Sequence, residues 1–263
     1  MQRGKSYTPA MTTREFDTWF RKHVAIDAFL SVDDSLNGIQ VDRSPGEVTR
    51  VAFAVDASAE SIRRAAESGA QLLFVHHGIF WGKPARLQGN LRERVKLLLD
   101  HDIALYACHL PLDADAELGN NACLARGLGL VDIEPFGLYH GVKIGCKGRF
   151  EKPLSVDEAL GRLGPAASSP LSLIPAGPAL VSTAAVVSGG AAMDVFQAIG
   201  EGIDLYVTGE SSHSVYNDVV EARINFAALG HYATETFGVK AVAERLALET
   251  GLETRFLDLP TGL

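Results

Sequence analysis

Short apolar runs alternate along this chain with segments whose apolar residues recur at helical spacing. Val51–Val55, Leu72–Val75, Ile103–Cys108, Ala184–Val187, Leu205–Val207 and Ile224–Leu229 predict strands of a buried sheet. Between them, Ala59–Ser68, Leu91–Leu99, Met193–Ile199 and Ser214–Glu221 predict helices, and a last long helix is expected from about Glu235 to Glu249. That βαβα order specifies an α/β protein whose largely parallel or mixed sheets are covered by helices.

The pattern repeats. Val55 through Val75 and Val187 through Val207 lay over one another as strand, small-residue turn, helix ending near Gly69 or Gly202, and strand. The second strands exit into His76-His77-Gly78 and Thr208-Gly209-Glu210. A helix and a further strand follow in each half. Those strands end at His109 with Asp113 and at His231 with Glu235, a histidine and a carboxylate four apart both times. Two related α/β lobes are expected. Leu163–Leu180 carries Pro165, Pro170, Pro175 and Pro178 among small residues and reads as their connection. The expected division is a leader at 1–11, a first lobe at 12–162, a connection at 163–180 and a second lobe at 181–263, the lobes forming one compact unit.

Composition narrows the function. A chain of 263 residues, 47% hydrophobic, can bury a sizeable core. A formal net charge of -8 argues against a phosphate-backbone surface, so nucleic acid is not the expected partner. The basic start, Met1 to Lys5, leads into Ser6-Tyr7-Thr8-Pro9 without an apolar run and does not read as a signal peptide. No stretch is apolar and long enough to span a bilayer. Cys108, Cys123 and Cys146 form no C-x-x-C pair, which fits a reducing cytoplasm and gives no thiolate zinc site.

Chemistry concentrates where strands end. Open α/β sheets present ligand-binding groups at their carboxyl ends, and His76-His77 follows the apolar run Leu72–Val75. Consecutive strand side chains point apart, so this pair would serve two metal ions, or one ion and a substrate. Thr234 is expected to cap the last helix, placing Glu235 in the first turn where the helix dipole favours an anion. The bland reading of His231 and Glu235 is a loop hydrogen bond and a suitable helix start. Because of Pro111, His109 and Asp113 are expected in a strand-exit loop and not in one helix. Imidazoles and carboxylates without thiolates suit zinc, manganese, iron, cobalt or nickel. Glu210 and His213 lie just past another strand and are candidates for moving protons, with capping by Ser211 or Ser212 as the alternative for that segment. Asp56-Ala57-Ser58 is expected to start a helix. No phosphate loop, G-x-G-x-x-G or G-x-S-x-G sequence occurs.

Asn37-Gly38-Ile39-Gln40-Val41, Ala54-Val55-Asp56-Ala57-Ser58, Val75-His76-His77-Gly78, His109 to Asp113, Thr208-Gly209-Glu210 and Gly230 to Glu235 together make the chain resemble the NGG-interacting-factor-like family, also called GTP cyclohydrolase 1 type 2 homologues. The resemblance runs from near residue 14 to near residue 250. It implies two divalent metal ions per chain between the lobes, held by His76, His77, Asp113, His231 and Glu235, and a toroidal homohexamer. It implies the short form of the family, without a central inserted domain. It further implies a metal-dependent hydrolase acting on a nucleotide or similar small molecule, with activated water attacking a purine ring carbon and Glu210 or His213 moving protons. The competing class is a non-enzymatic metal-delivery, storage or regulatory protein. Asp115 stands where many relatives carry a histidine, which bears on substrate contact and not on the ligand set.

Overall fold

The computed structural model describes residues 9–164 and 170–263; most of the expected leader 1–11 and part of the expected connection 163–180 lie outside the described residues. Contacts divide the chain into two compact units. One runs up to His109 and takes in Val239–Leu259, and the other holds Leu110–Gly238 with Pro260–Leu263.

The first unit contains α1 (Thr13–His23), β1 (Gly38–Val41), β2 (Arg50–Asp56), α2 (Ala59–Glu67), β3 (Leu72–His77), α3 (Gly89–Asp100) and β4 (Ala104–Ala107). With Glu253–Phe256 the strands form a five-stranded sheet in the order β1, β4, β3, β2, Glu253–Phe256. All neighbours are parallel except β1 and β4. The register sets Phe53, Phe74 and Tyr106 in one row across the sheet. Phe16 and Phe20 of α1 lie on that row, with ring centroids 5.1 Å from Tyr106 and 5.2 Å from Phe74 respectively. The alternate residues Ala52, Ala54, Leu73, Val75 and Leu105 share a core with Ile62 and Ala65 of α2 and Leu98 of α3. Both faces are covered, which is why these strands read as unbroken apolar runs. Capping boxes start α1 at Thr12 and α2 at Ser58, the latter in the expected segment.

The second unit contains α4 (Leu110–Ala114), α5 (Asn120–Leu128), β5 (Leu130–Tyr139), β6 (Val142–Leu154), α6 (Val156–Gly161), β7 (Ser172–Pro175), β8 (Val181–Val187), α7 (Val195–Gly200), β9 (Leu205–Thr208), α8 (Tyr216–Ala222) and β10 (Asn225–Ala228). Its six strands lie in the order β5, β6, β8, β9, β10, β7, with β8, β9 and β10 parallel and the remaining pairs antiparallel. Leu124, Leu128, Leu160, Val186, Leu205 and Val207 lie in its core.

All six expected strands are present, and β2-α2-β3-α3-β4 is matched in order by β8-α7-β9-α8-β10. The hairpin β5–β6 is new. Its residues fall in the expected first lobe, 12–162, yet β6 hydrogen-bonds to β8 in the second sheet. The contact-based division therefore falls at different places from the expected one. Charged and apolar residues are interleaved through the hairpin and much of β5 is exposed, so no apolar run marks it. Pro135 in β5 is tolerated because β5 is an edge strand. The last helix, α9 (His231–Thr250), begins one turn before the expected start. No helix among the described residues is long and apolar enough to cross a membrane.

Candidate metal centre

In the first unit, parallel strands bring three histidines to one sheet end. His76 and His77 close β3, and His109 follows β4, the neighbour of β3. His76 is fully buried, and its Nδ1 donates to the Cys108 carbonyl at 2.9 Å. His77 Nδ1 donates to Asp56 Oδ1 at 2.8 Å, and Asp56 is its register partner on β2. His109 Nδ1 donates to Asp33 Oδ1 at 2.9 Å, while the His109 backbone N–H donates to Asn37 Oδ1 at 2.7 Å. Burial alone would raise the Asp33 pKa, but bonds from His109, Asn37 and the Ser35 backbone together hold it below the usual carboxylate value.

An oxygen acceptor at Nδ1 fixes the tautomer and leaves the lone pair on Nε2, the usual state of a metal-ligating imidazole. One ligating atom from each of His76, His77 and His109 lies within 4.8 Å of the others. The expectation that His76 and His77 point apart is corrected: at the strand end their ring centroids are 4.7 Å apart. His109 is not among the expected ligands. Its signal is in the sequence, as a histidine directly after a buried strand, but spacing along the chain pairs it with Asp113 instead.

In the second unit, the ends of three parallel strands again supply the groups. Ser188 follows β8, Glu210 follows β9 and His231 follows β10. The chain turns at Gly230, φ +106°, and α9 starts immediately. Thr234 is therefore not the helix cap. It lies inside α9, where its Oγ1 accepts from the Gly189 N–H at 3.0 Å. His231 and Glu235 share one helix face four residues apart, with His231 Nε2 and Glu235 Oε1 at 3.0 Å. His231 Nδ1 meets Glu210 Oε1 at 2.6 Å.

The bond to Glu235, aided by the Glu235 and Glu210 charges, lifts the His231 pKa to about 9 against burial, which lowers it. Gly189 makes this packing possible. It has φ +67°, and a Cβ there would overlap Glu235 Oε1.

Asp113 is buried in α4 and not in a loop, which corrects the sequence expectation. Pro111 sits in the first turn, where its missing N–H costs nothing. Asp113 Oδ1 accepts from Asn120 Nδ2 at 2.9 Å and from Ser188 Oγ at 3.0 Å. Asp115 instead holds the following turn, accepting from the Glu117 and Leu118 N–H groups. His213 is exposed at the start of a short 3-10 turn, which Ser212 caps at the Ser214 N–H. Burial pushes the Cys146 thiol up to about 11, so it is protonated at neutral pH.

Known proteins agree with this architecture. The model of the Duf34/NIF3 (NGG1p interacting factor 3) family matches residues 11–261, and the chain belongs to that family. A "GTP cyclohydrolase 1 type 2 homolog" of Treponema pallidum is 42% identical over 286 aligned positions, covering 96% of this chain and all of the relative. One of the same name in Archaeoglobus fulgidus is 43% identical and covers 90% of this chain and 96% of the relative. Among solved structures, TTHA1606 from Thermus thermophilus superposes with a TM-score of 0.84 at 41% identity, covering 96% of this chain and 100% of that one.

Proposed function

We propose that this chain is a metal-dependent hydrolase of nucleotides or similar small molecules that binds two divalent transition-metal ions, with His76, His77, Asp113, His231 and Glu235 as ligands. One observation carries the proposal. His76, His77 and His109 each have Nδ1 against a carbonyl or carboxylate oxygen, so in all three the lone pair that could ligate is on Nε2. Structural histidines have no need of one shared tautomer at several strand ends.

The donor set is imidazole and carboxylate, and it fits zinc, iron, manganese, cobalt or nickel. A pair of such ions supplies Lewis-acid polarisation and water activation at neutral pH. The protein's own part is orientation. Asp56, Asp33 and Glu210 fix imidazole rings, and Ser188 with Asn120 fixes the Asp113 carboxylate. Glu210 and His213 are the proposed proton carriers, Glu210 because it already exchanges a hydrogen bond with His231. The relatives' name, with its GTP cyclohydrolase, favours a purine nucleotide as the first substrate to try.

The deciding experiment pairs metal analysis of untagged protein with a hydrolysis screen over purine nucleotides. About two ions per chain, turnover that stops on chelation, and loss of both metal and turnover in Glu235→Gln are the expected results. Full metal content without turnover across the screen would replace catalysis with metal delivery or regulation. Full hydrolytic activity in the chelated protein would reject the proposal.

A further inference from the structure

Trp81 is not used by the ligand set, and its setting is unusual. It leaves 39% of its surface exposed, although burying an indole is strongly favourable. It is nevertheless held firmly. Its Nε1 donates to the Gly78 carbonyl at 3.2 Å, and its backbone bridges to Ser35. The ring stands edge-on to His109, with centroids 5.0 Å apart and planes at 78°, and its centroid is 6.3 Å from that of His77. A fixed, partly exposed indole thus adjoins the three-histidine cluster within one unit.

The loop that carries it is also distinctive in charge. Ile79 through Gln88 contains Lys83 and Arg86 and no acid, in a chain with a net charge of -8. Every residue from Trp81 to Gln88 is exposed. A stacking face followed by two cations matches a planar heteroaromatic ring that carries an anionic tail.

We infer that Trp81 is the stacking platform for the base of a nucleotide at this site, with Lys83 and Arg86 taking its phosphate. The inference rests on the proposed reading of the metal centre and names the group that would select its substrate. Stacking on an aromatic side chain is sequence-tolerant and contributes strongly to base binding, so removing the indole should weaken binding about tenfold or more. The indole is a positioning residue here, because the ring it holds is brought to the histidines by it and is not changed by it.

The test is calorimetric titration of the protein as purified with guanosine 5′-monophosphate, guanosine and ribose 5-phosphate. It is run on the wild type, Trp81→Leu, Trp81→Phe and the Lys83→Ala/Arg86→Ala pair, with metal content and oligomeric mass measured on each. Expected are binding of the nucleotide well above ribose 5-phosphate, about tenfold weaker binding in Trp81→Leu, and recovery to within about threefold in Trp81→Phe. Metal content and mass should not change. The paired cation variant should weaken the nucleotide and leave guanosine unaffected.

Wild-type affinity in Trp81→Leu, or equal affinity for ribose 5-phosphate, would overturn the inference. So would a Trp81→Leu protein that loses metal or changes mass, since the indole would then be scaffold. The two readings fail separately. Indole-dependent nucleotide binding by a protein that holds no metal keeps the platform and removes the metal centre, whereas full metal content without nucleotide binding does the reverse.

Discussion

A histidine can serve a metal ion only through a nitrogen that has given up its proton, and here the neighbours decide which nitrogen that is. His231 is strongly perturbed. With Glu235 and Glu210 on either side its pKa rises to about 9, so the metal-free imidazole is charged at neutral pH. A folded-state pKa raised above the unfolded value gives stability that is complete below the unfolded pKa, about 6.5, and is lost as pH rises through the folded value. In chelated protein, the difference in Tm between wild type and His231→Asn should therefore be largest near pH 6 and shrink as pH approaches about 9.5. A difference independent of pH would mean that the Glu235 and Glu210 contacts do not hold the proton. Metal uptake at pH 7 should also release a proton from this residue, which buffer-dependent calorimetry reads directly.

At the scale of elements, the parallel strands do the positioning. A one-residue slip would exchange the two faces of a strand, forcing the large aromatic rings to the side where Ala52, Ala54 and Leu73 pack against α2 and α3. The row Phe53, Phe74 and Tyr106 locks β2, β3 and β4 in register beneath α1, and the histidines lie at the ends of the same strands. Phe74→Ala should cost about 3–5 kcal/mol in urea unfolding. It should also lower metal affinity, because His76 lies two residues further along the same face. A variant that loses stability but binds metal as tightly as wild type would show that the strand ends are held by the loops alone. These parallel strands are legible because short unbroken apolar runs leave a clear trace. Helix α1, β1, the β5–β6 hairpin and Glu253–Phe256 are not, since in short or half-exposed elements polar and charged residues interrupt the pattern.

For the whole molecule, the family resemblance proposes a homohexamer. Sedimentation equilibrium of untagged protein should return six chain masses, with and without chelator. A monomer or dimer at micromolar concentration would reject that assembly and would leave the ligand set to be judged within a single chain. The charge of -8 is consistent with a small-molecule site and gives no support to a nucleic-acid partner.

The sequence alone determined the α/β class, the repeated strand–helix order and the strand ends that lead into His76-His77, His109 and His231. Hydrophobic periodicity and local spacing are properties of neighbouring residues, so they can be read along the chain. Tertiary structure decided what spacing does not contain. It joined His109 to His76 and His77 across two parallel strands, set Asp56, Asp33, Glu210 and Cys108 behind the imidazoles, and moved the start of α9 so that Thr234 packs on Gly189. Each of these depends on groups far apart in the chain, and only the pairing of strands brings them within hydrogen-bonding distance.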